Sequence, residues 1–245
     1  MPFPLAHPAA VLPLRRFCPR HLSFPALVIG SLSPDVGYAF GHLDLEYFSH
    51  RPLVGPFRFC LPVGLVLVLG FYLVRRPVVR LLPGPLQRPF LPLCQQPAAP
   101  LIRIAISLLL GAFTHELLDA TTHPEAWLVH YLPELLAPVL RTGHLYLRVC
   151  DVLYAGCTFS GVAWLALVFL RWWERNAGTA IPRGIQWGGA LLLAGVILVL
   201  ALACRGYNPR IGLFTAATVS VLLTLGFLLA VGWFFDPARR GRRNG

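Results

Sequence analysis

The chain has no lysine: all 21 of its basic residues are arginine. Charge of either sign is scarce, at 13% of 245 residues, and only 10 side chains are acidic. A soluble domain carries about 25% charged and about 45–50% apolar residues. With 56% hydrophobic residues, this composition excludes an ordinary water-soluble domain and indicates an integral membrane protein. The formal charge of +11 does not indicate nucleic acid, because the arginines fall in short clusters flanking apolar runs. Such placement is a topology signal, whereas a nucleic-acid footprint concentrates on one soluble face. The six cysteines include no CxxC pair, which argues against a disulfide framework or a cysteine-based zinc site. The first residues, MPFPLAHPAAVLPLRR, lack a basic stretch followed by a long apolar core, so no cleaved signal peptide is expected. There is also no GxSxG, no Walker loop and no Gly-rich dinucleotide turn. Abundant Arg, Pro and Ala without Lys point to a GC-rich bacterial genome.

Five apolar runs stand out, at 59–74, 101–118, 152–170, 185–204 and 211–235. A helix needs about 20 residues to cross the hydrocarbon core. The last three reach that length, and the first two span only with help from flanking residues. A sixth candidate, 24–40, carries Pro34 and Asp35 in its second half and reads as a broken or partly buried helix. The expected fold is therefore all-α: a single integral membrane domain over 1–245, forming a polytopic bundle of five to six transmembrane helices. Within it, 1–58 is an N-terminal motif region, 75–100 a Pro/Arg-rich cytoplasmic linker and 152–235 a C-terminal three-helix scaffold. Proline at the density of the linker favours extended or turn conformations. Arginine clusters in 75–103, 171–183 and the tail place those segments, and so the C-terminus, in the cytoplasm of a bacterial inner membrane. Loop 119–151 then faces outward. No internal repeat of fixed period is visible.

Against this background a few ionisable residues need explaining. The stretch GAFTHELLDATTHP places His115, Asp119 and His123 four apart, and two residues at i and i+4 share one helix face. Thr121, Thr122 and Pro124 signal that the helix ends there. Asp35 lies in GSLSPDVGYAF, His50 in EYFSHRP and His7 in LAHPAA. Each has a simpler reading: a hydrogen-bonded cap for His115 with Asp119, a helix-start cap for Asp35, and plain exposure for His50 and His7. Burying ionisable groups at membrane depth is costly, which makes them functional candidates. Glu116 points about 100° around the helix from His115; a general-base role is open to it, and a solvated face is the simpler reading. Pro133 interrupts the His130–Glu134 pair, and His144 with Arg148 reads as loop chemistry. His21 and His42 have no partner at useful spacing. Asp44, Glu46, Glu125 and Asp151 read as interfacial charges.

The order MPFPLAHPAAVLPLRR, LSFPALVIGSLSPDVGYAF, FSHRPLVG, LLLGAFTHELLDATTHP resembles the DUF4184 family of bacterial membrane proteins. The likeness covers essentially the whole chain, with its specific landmarks in the first 125 residues. That family is similar in motif order to the YdjM-type (DUF457) membrane-bound metal-dependent hydrolases. A weaker likeness runs to zinc-dependent phospholipase C and related nucleases. Carried over, the resemblance implies His7, Asp35, His50, His115, Asp119 and His123 as ligands of a divalent metal, zinc by analogy. It implies Asp119 or Asp35 as general base and Arg51 as a phosphate holder. The chain departs from the family at Ala6 and Arg51, where serine is usual, and a one- or two-metal site fits better than a trinuclear one. If 24–40 crosses the membrane, His7 falls on the wrong side of the other ligands; a re-entrant N-terminal segment keeps it with them. The expected function is metal-dependent hydrolysis at the membrane interface, with membrane lipids as partners and a lipid or phosphoester as substrate. The alternative is a non-catalytic protein, a transporter or sensor among them, with a structural metal or polar network.

Overall fold

The computed structural model describes residues 6–37, 45–82, 84–142 and 145–177. In chain order its α-helices and strands are α1 (His7–Val11), α2 (Phe24–Leu32), α3 (Leu45–Ser49), α4 (Leu61–Leu81), α5 (Gly84–Gln95), α6 (Leu101–Thr122), β1 (Pro138–Thr142), β2 (Leu145–Arg148) and α7 (Val149–Ala177). The chain divides into two compact units, Met1–Phe71 with Ala98–Phe169 and Tyr72–Pro97 with Leu170–Gly245. The described residues are mostly helical. Three stretches are long and apolar enough to cross a membrane: Pro56–Leu81, Leu101–Thr122 and Val149–Ala177. The first joins one π-helical turn, Pro56–Cys60, to α4. These stretches extend the runs read at 59–74, 101–118 and 152–170. The runs at 185–204 and 211–235 lie outside the described residues, so the described residues carry three of the expected five to six spans.

The candidate span at 24–40 takes another form. α2 has nine residues, about 14 Å at ~1.5 Å per residue, far short of the ~30 Å hydrocarbon core. A 3₁₀ turn over 34–37 follows it. The helix starts where Pro25 presets the first turn and ends where the Ser33 hydroxyl donates to the Gly30 carbonyl at 2.8 Å.

α2 packs along α6 in parallel and in constant register. The Arg103 guanidinium donates to the Pro19 carbonyl, the Ser23 N–H to the Ser107 hydroxyl at 2.8 Å, and His115 bonds the Ser31 carbonyl at 2.8 Å. Each pair is separated by 84 residues. Between them the backbones meet directly. A Cβ on Gly111 would strike the Leu27 carbonyl and the Ser31 nitrogen, and one on Gly30 would strike Leu108. Small residues that let backbones touch are the usual means of helix pairing in membranes, where hydrophobic burial gives little drive. The α6 residues involved, Arg103, Ser107, Gly111, His115 and Asp119, form one i, i+4 row.

α1 returns to the far end of that row. His7 meets His115 and Asp119, whereas Pro19 meets Arg103 near the helix start. The first described residues therefore descend along α6 and climb back as α2. His7 and Asp35 therefore end at one level of α6, both beside His115. Val11, Leu22 and Leu27 pack the inside of this hairpin.

Most of the Pro-rich segment is helical instead of extended, with 97–100 irregular. α4 continues through Pro77, and α5 holds Pro89 and Pro92. Side chains satisfy the exposed ends. Arg75 donates to the carbonyls of Leu93 and Gln96, and Arg76 to that of Cys94, closing the C-terminal turn of α5. Gln87 donates to the carbonyls of Arg80 and Leu82, closing α4. Such partners allow proline inside membrane-protein helices.

The expectation of a purely helical chain needs a second correction. Between α6 and α7 lie two 3₁₀ turns, Trp127–His130 and Pro133–Leu136, then the antiparallel hairpin β1–β2. Leu140 faces Leu147 and Arg141 faces Tyr146 across it. Pro133 does separate His130 and Glu134 into different turns, as its position requires.

Candidate metal centre

α6 begins after Pro100 and ends at His123, whose backbone is extended. Its last turns therefore present His115 and Asp119 one above the other, with His123 at the exit. His115 is fully buried and Asp119 nearly so. His115 lies about 10 Å below the end of the helix at ~1.5 Å per residue.

Four of the six expected ligands join Asp119 around one point. His115 Nε2 lies 3.2 Å from Asp119 Oδ2 and 3.5 Å from Asp35 Oδ1. His50 Nε2 lies 3.8 Å from Asp119 Oδ2 and 3.9 Å from Asp35 Oδ1. His7 Nε2 lies 3.7 Å from Asp119 Oδ1, and its ring stacks on that of His115 with centroids 3.7 Å apart. Two overlapping triads result, His7–Asp35–His115 and His50–His115–Asp119, each with its ligand atoms within 4.8 Å of one another.

Apart from the 3.2 Å His115–Asp119 contact, these separations are longer than ordinary hydrogen bonds, and many of the atoms make none. Both ring nitrogens of His7, both carboxylate oxygens of Asp35, His115 Nε2 and Asp119 Oδ1 are buried without a hydrogen-bond partner among the described residues. Native proteins seldom leave buried polar atoms so. Two ligand atoms each about 2.0–2.1 Å from a tetrahedral ion stand about 3.3 Å apart, close to what is seen. The donor set, imidazole and carboxylate without thiolate, suits a divalent cation.

The histidine tautomers agree with that fit. His115 Nδ1 donates to the Ser31 carbonyl, which leaves Nε2 as the ring atom directed at the carboxylates. His50 Nδ1 pairs with the Ser49 hydroxyl at 2.9 Å, turning its Nε2 the same way. Metal-binding histidines commonly fix their second nitrogen in this manner. Because Nδ1 of His115 is engaged, that ring offers one ligand atom, which the two triads share. Burial holds the His7 imidazole well below its usual pKa. Burial also pushes the Asp35 carboxyl up to about 7.

Two expected residues stand apart from the convergence. His123 turns Nδ1 to the Asp119 carbonyl at 3.1 Å, and that nitrogen is 4.0 Å from Asp119 Oδ1; burial lowers its pKa. Arg51 follows His50 directly and is exposed in the turn after α3. Glu116, read as solvated, is half-buried, and its Oε1 is buried without a hydrogen-bond partner among the described residues. The Ser31 carbonyl and the Ser49 hydroxyl went unread. Ser49 stands directly before His50 in the sequence, whereas Ser31 becomes visible only through the α2–α6 register. The alanine at position 6 has a packing role: it is buried, and a Cβ on Gly161 of α7 would press on it.

Comparison with known proteins agrees with the resemblance read from the landmarks. No curated protein and no solved structure gives a match. The family model described as "Domain of unknown function (DUF4184)" matches residues 1–234, and the chain belongs to that family.

Proposed function

We propose that this DUF4184 protein is a multi-pass membrane protein that binds a divalent cation through His7, Asp35, His50, His115 and Asp119, and that it hydrolyses a phosphoester at the membrane interface. The observation that carries the reading is the convergence on His115 Nε2. The ring's other nitrogen is engaged by the Ser31 carbonyl, and Nε2 stands 3.2 Å from an Asp119 oxygen and 3.5 Å from an Asp35 oxygen, within reach of one shared cation. When bound, such an ion supplies Lewis acidity toward a phosphoryl oxygen and makes water a better nucleophile near neutral pH. The protein contributes the rest. Asp35 and Asp119 balance the ionic charge in a site where His7 and His115 have no solvent contact. A carboxylate oxygen left free of the ion, on Asp119 or Asp35, takes the proton from water. Arg51 offers a fixed positive charge to a phosphate at the mouth. Zinc is the cation that the motif likeness favours, and a lipid phosphoester the substrate that the position favours. The arginine clusters in 75–103 and 171–183 support a cytoplasmic C-terminus.

The depth of the cluster favours a second reading. His7 and His115 are wholly enclosed and His50 is only 20% exposed, which also suits a closed structural ion, and structural sites leave no open position. Metal analysis of detergent-purified protein separates these readings from a plain polar network. Stoichiometric metal, lost in His115→Ala and Asp119→Ala while both stay folded, supports the centre. Phosphoester hydrolysis by the loaded wild type then supports the enzyme over the structural ion. Protein that neither carries nor takes up metal would return the histidines to hydrogen bonding.

A further inference from the structure

The segment between α6 and α7 buries almost nothing. Of its described residues, only Val129 is buried. Trp127, Tyr131, Leu132, Val139, Leu140 and Tyr146 are all largely exposed, Tyr131 at 77%. A two-stranded hairpin standing alone is marginal in water, and a hydrophobic face must pack on something to hold it. Among the described residues β1 and β2 pair only with each other, with Val139, Leu140 and Tyr146 uncovered. An exposed apolar patch of this extent marks an interaction surface.

Its place in the chain says what covers it. The segment leaves α6 at Thr122 and enters α7 at Val149, the adjoining ends of two consecutive membrane-length helices. Both of its ends are thus held at one membrane face. Trp and Tyr concentrate at that level, where an apolar ring meets polar headgroups, and Trp127 and Tyr131 stack edge to face there with centroids 6.3 Å apart. Arg141 sits opposite Tyr146 in the hairpin, so that a cation accompanies the aromatic rings. Arg148 is held by Asp151 at 3.1 Å where α7 begins.

We propose that the described residues of 127–142 and 145–146 form a collar that lies in the headgroup layer, with Trp127, Tyr131 and the hairpin strands in contact with lipid. The occupant of this face is the bilayer itself. The collar begins four residues after His123, so it sets the level at which an amphiphile meets the His/Asp cluster. This assignment does not depend on hydrolysis.

The test uses the full-length protein reconstituted in vesicles of phosphatidylcholine and phosphatidylglycerol, brominated either near the headgroup or near the acyl-chain methyl end. The emission removed by Trp127→Phe reports Trp127. That component should be quenched most by headgroup-proximal bromine and little by aqueous iodide. Moving the reporter, by Tyr131→Trp in the Trp127→Phe background, should reproduce the pattern and guards against a local defect. Quenching by iodide without bromine quenching would place the segment in water and overturn the proposal. Protection from both quenchers would show a protein covering the face, a second copy or another partner, and would overturn it equally. Metal content of the same preparations reports on the centre separately, so failure of one reading leaves the other standing.

Discussion

α6 and α7 are both apolar enough to cross a membrane, yet apart from Gly161 of α7, which packs on Ala6, they use their small and polar residues differently. On α6 the Ser107 hydroxyl donates to its own helix at Arg103 and also accepts the Ser23 N–H. On α7 the Ser160 hydroxyl, which is exposed, donates back to Gly156 of the same helix. Gly111 of α6 touches the α2 backbone, whereas nothing lies within 4 Å of a Cβ placed on Gly156. His115 and Asp119 continue the α6 row into the cluster, while Phe159 and Trp164 of α7 are exposed. Hydropathy alone does not separate a span that carries a site from one that meets lipid. The spacing of the residues that break the hydropathy does.

Substitutions can break this contrast, beginning with the largest effect. Asp119→Ala should reduce bound metal to background, while Phe159→Ala on α7 should leave metal content unchanged; elemental analysis decides. His123→Ala, outside both triads, should retain most of the metal. Next, one substitution should act in opposite directions on the two helices. Gly111→Ala should cost about 1–3 kcal/mol by forcing backbones apart, whereas Gly156→Ala should be neutral or stabilising by up to ~1 kcal/mol through helix propensity. Thermal unfolding in detergent measures both. Ser49→Ala frees the His50 ring and should weaken metal affinity about 10-fold, read by competition with a chelator. Ser107→Ala leaves the buried Ser23 N–H without its acceptor, at about 1 kcal/mol. Equal sensitivity of α6 and α7 throughout this series would show the contrast to be false.

Much of this was legible in the sequence. Apolar length located α4, α6 and α7, and the four-residue spacing put His115 and Asp119 on one face. Asp35, His50 and His7 were picked out as ionisable groups beside apolar runs, with motif order supporting the set. What escaped had non-local causes. Proline density argued against α5, whose C-terminal carbonyls are closed by Arg75 and Arg76 from the preceding helix. The hairpin strands, at 138–142 and 145–148, are too short for alternation to show against an apolar background. Glu116 read as solvated because one helix alone does not reveal what packs beside it. The tautomer of His115 depends on a carbonyl 84 residues away.

That constant separation couples the lengths of two distant stretches. Adding one residue to α6 between Arg103 and His115 would turn everything beyond it by about 100° and raise it by ~1.5 Å. Asp119 would swing out of reach of His7 and His50 while every individual ligand remained. A one-residue deletion in the segment 19–31 would do the same to Asp35. Insertions and deletions in these two stretches should therefore be tolerated only in pairs. In an alignment of DUF4184 sequences, the spacing from Pro19 to Ser31 and from Arg103 to His115 should be fixed even where residue identity is not.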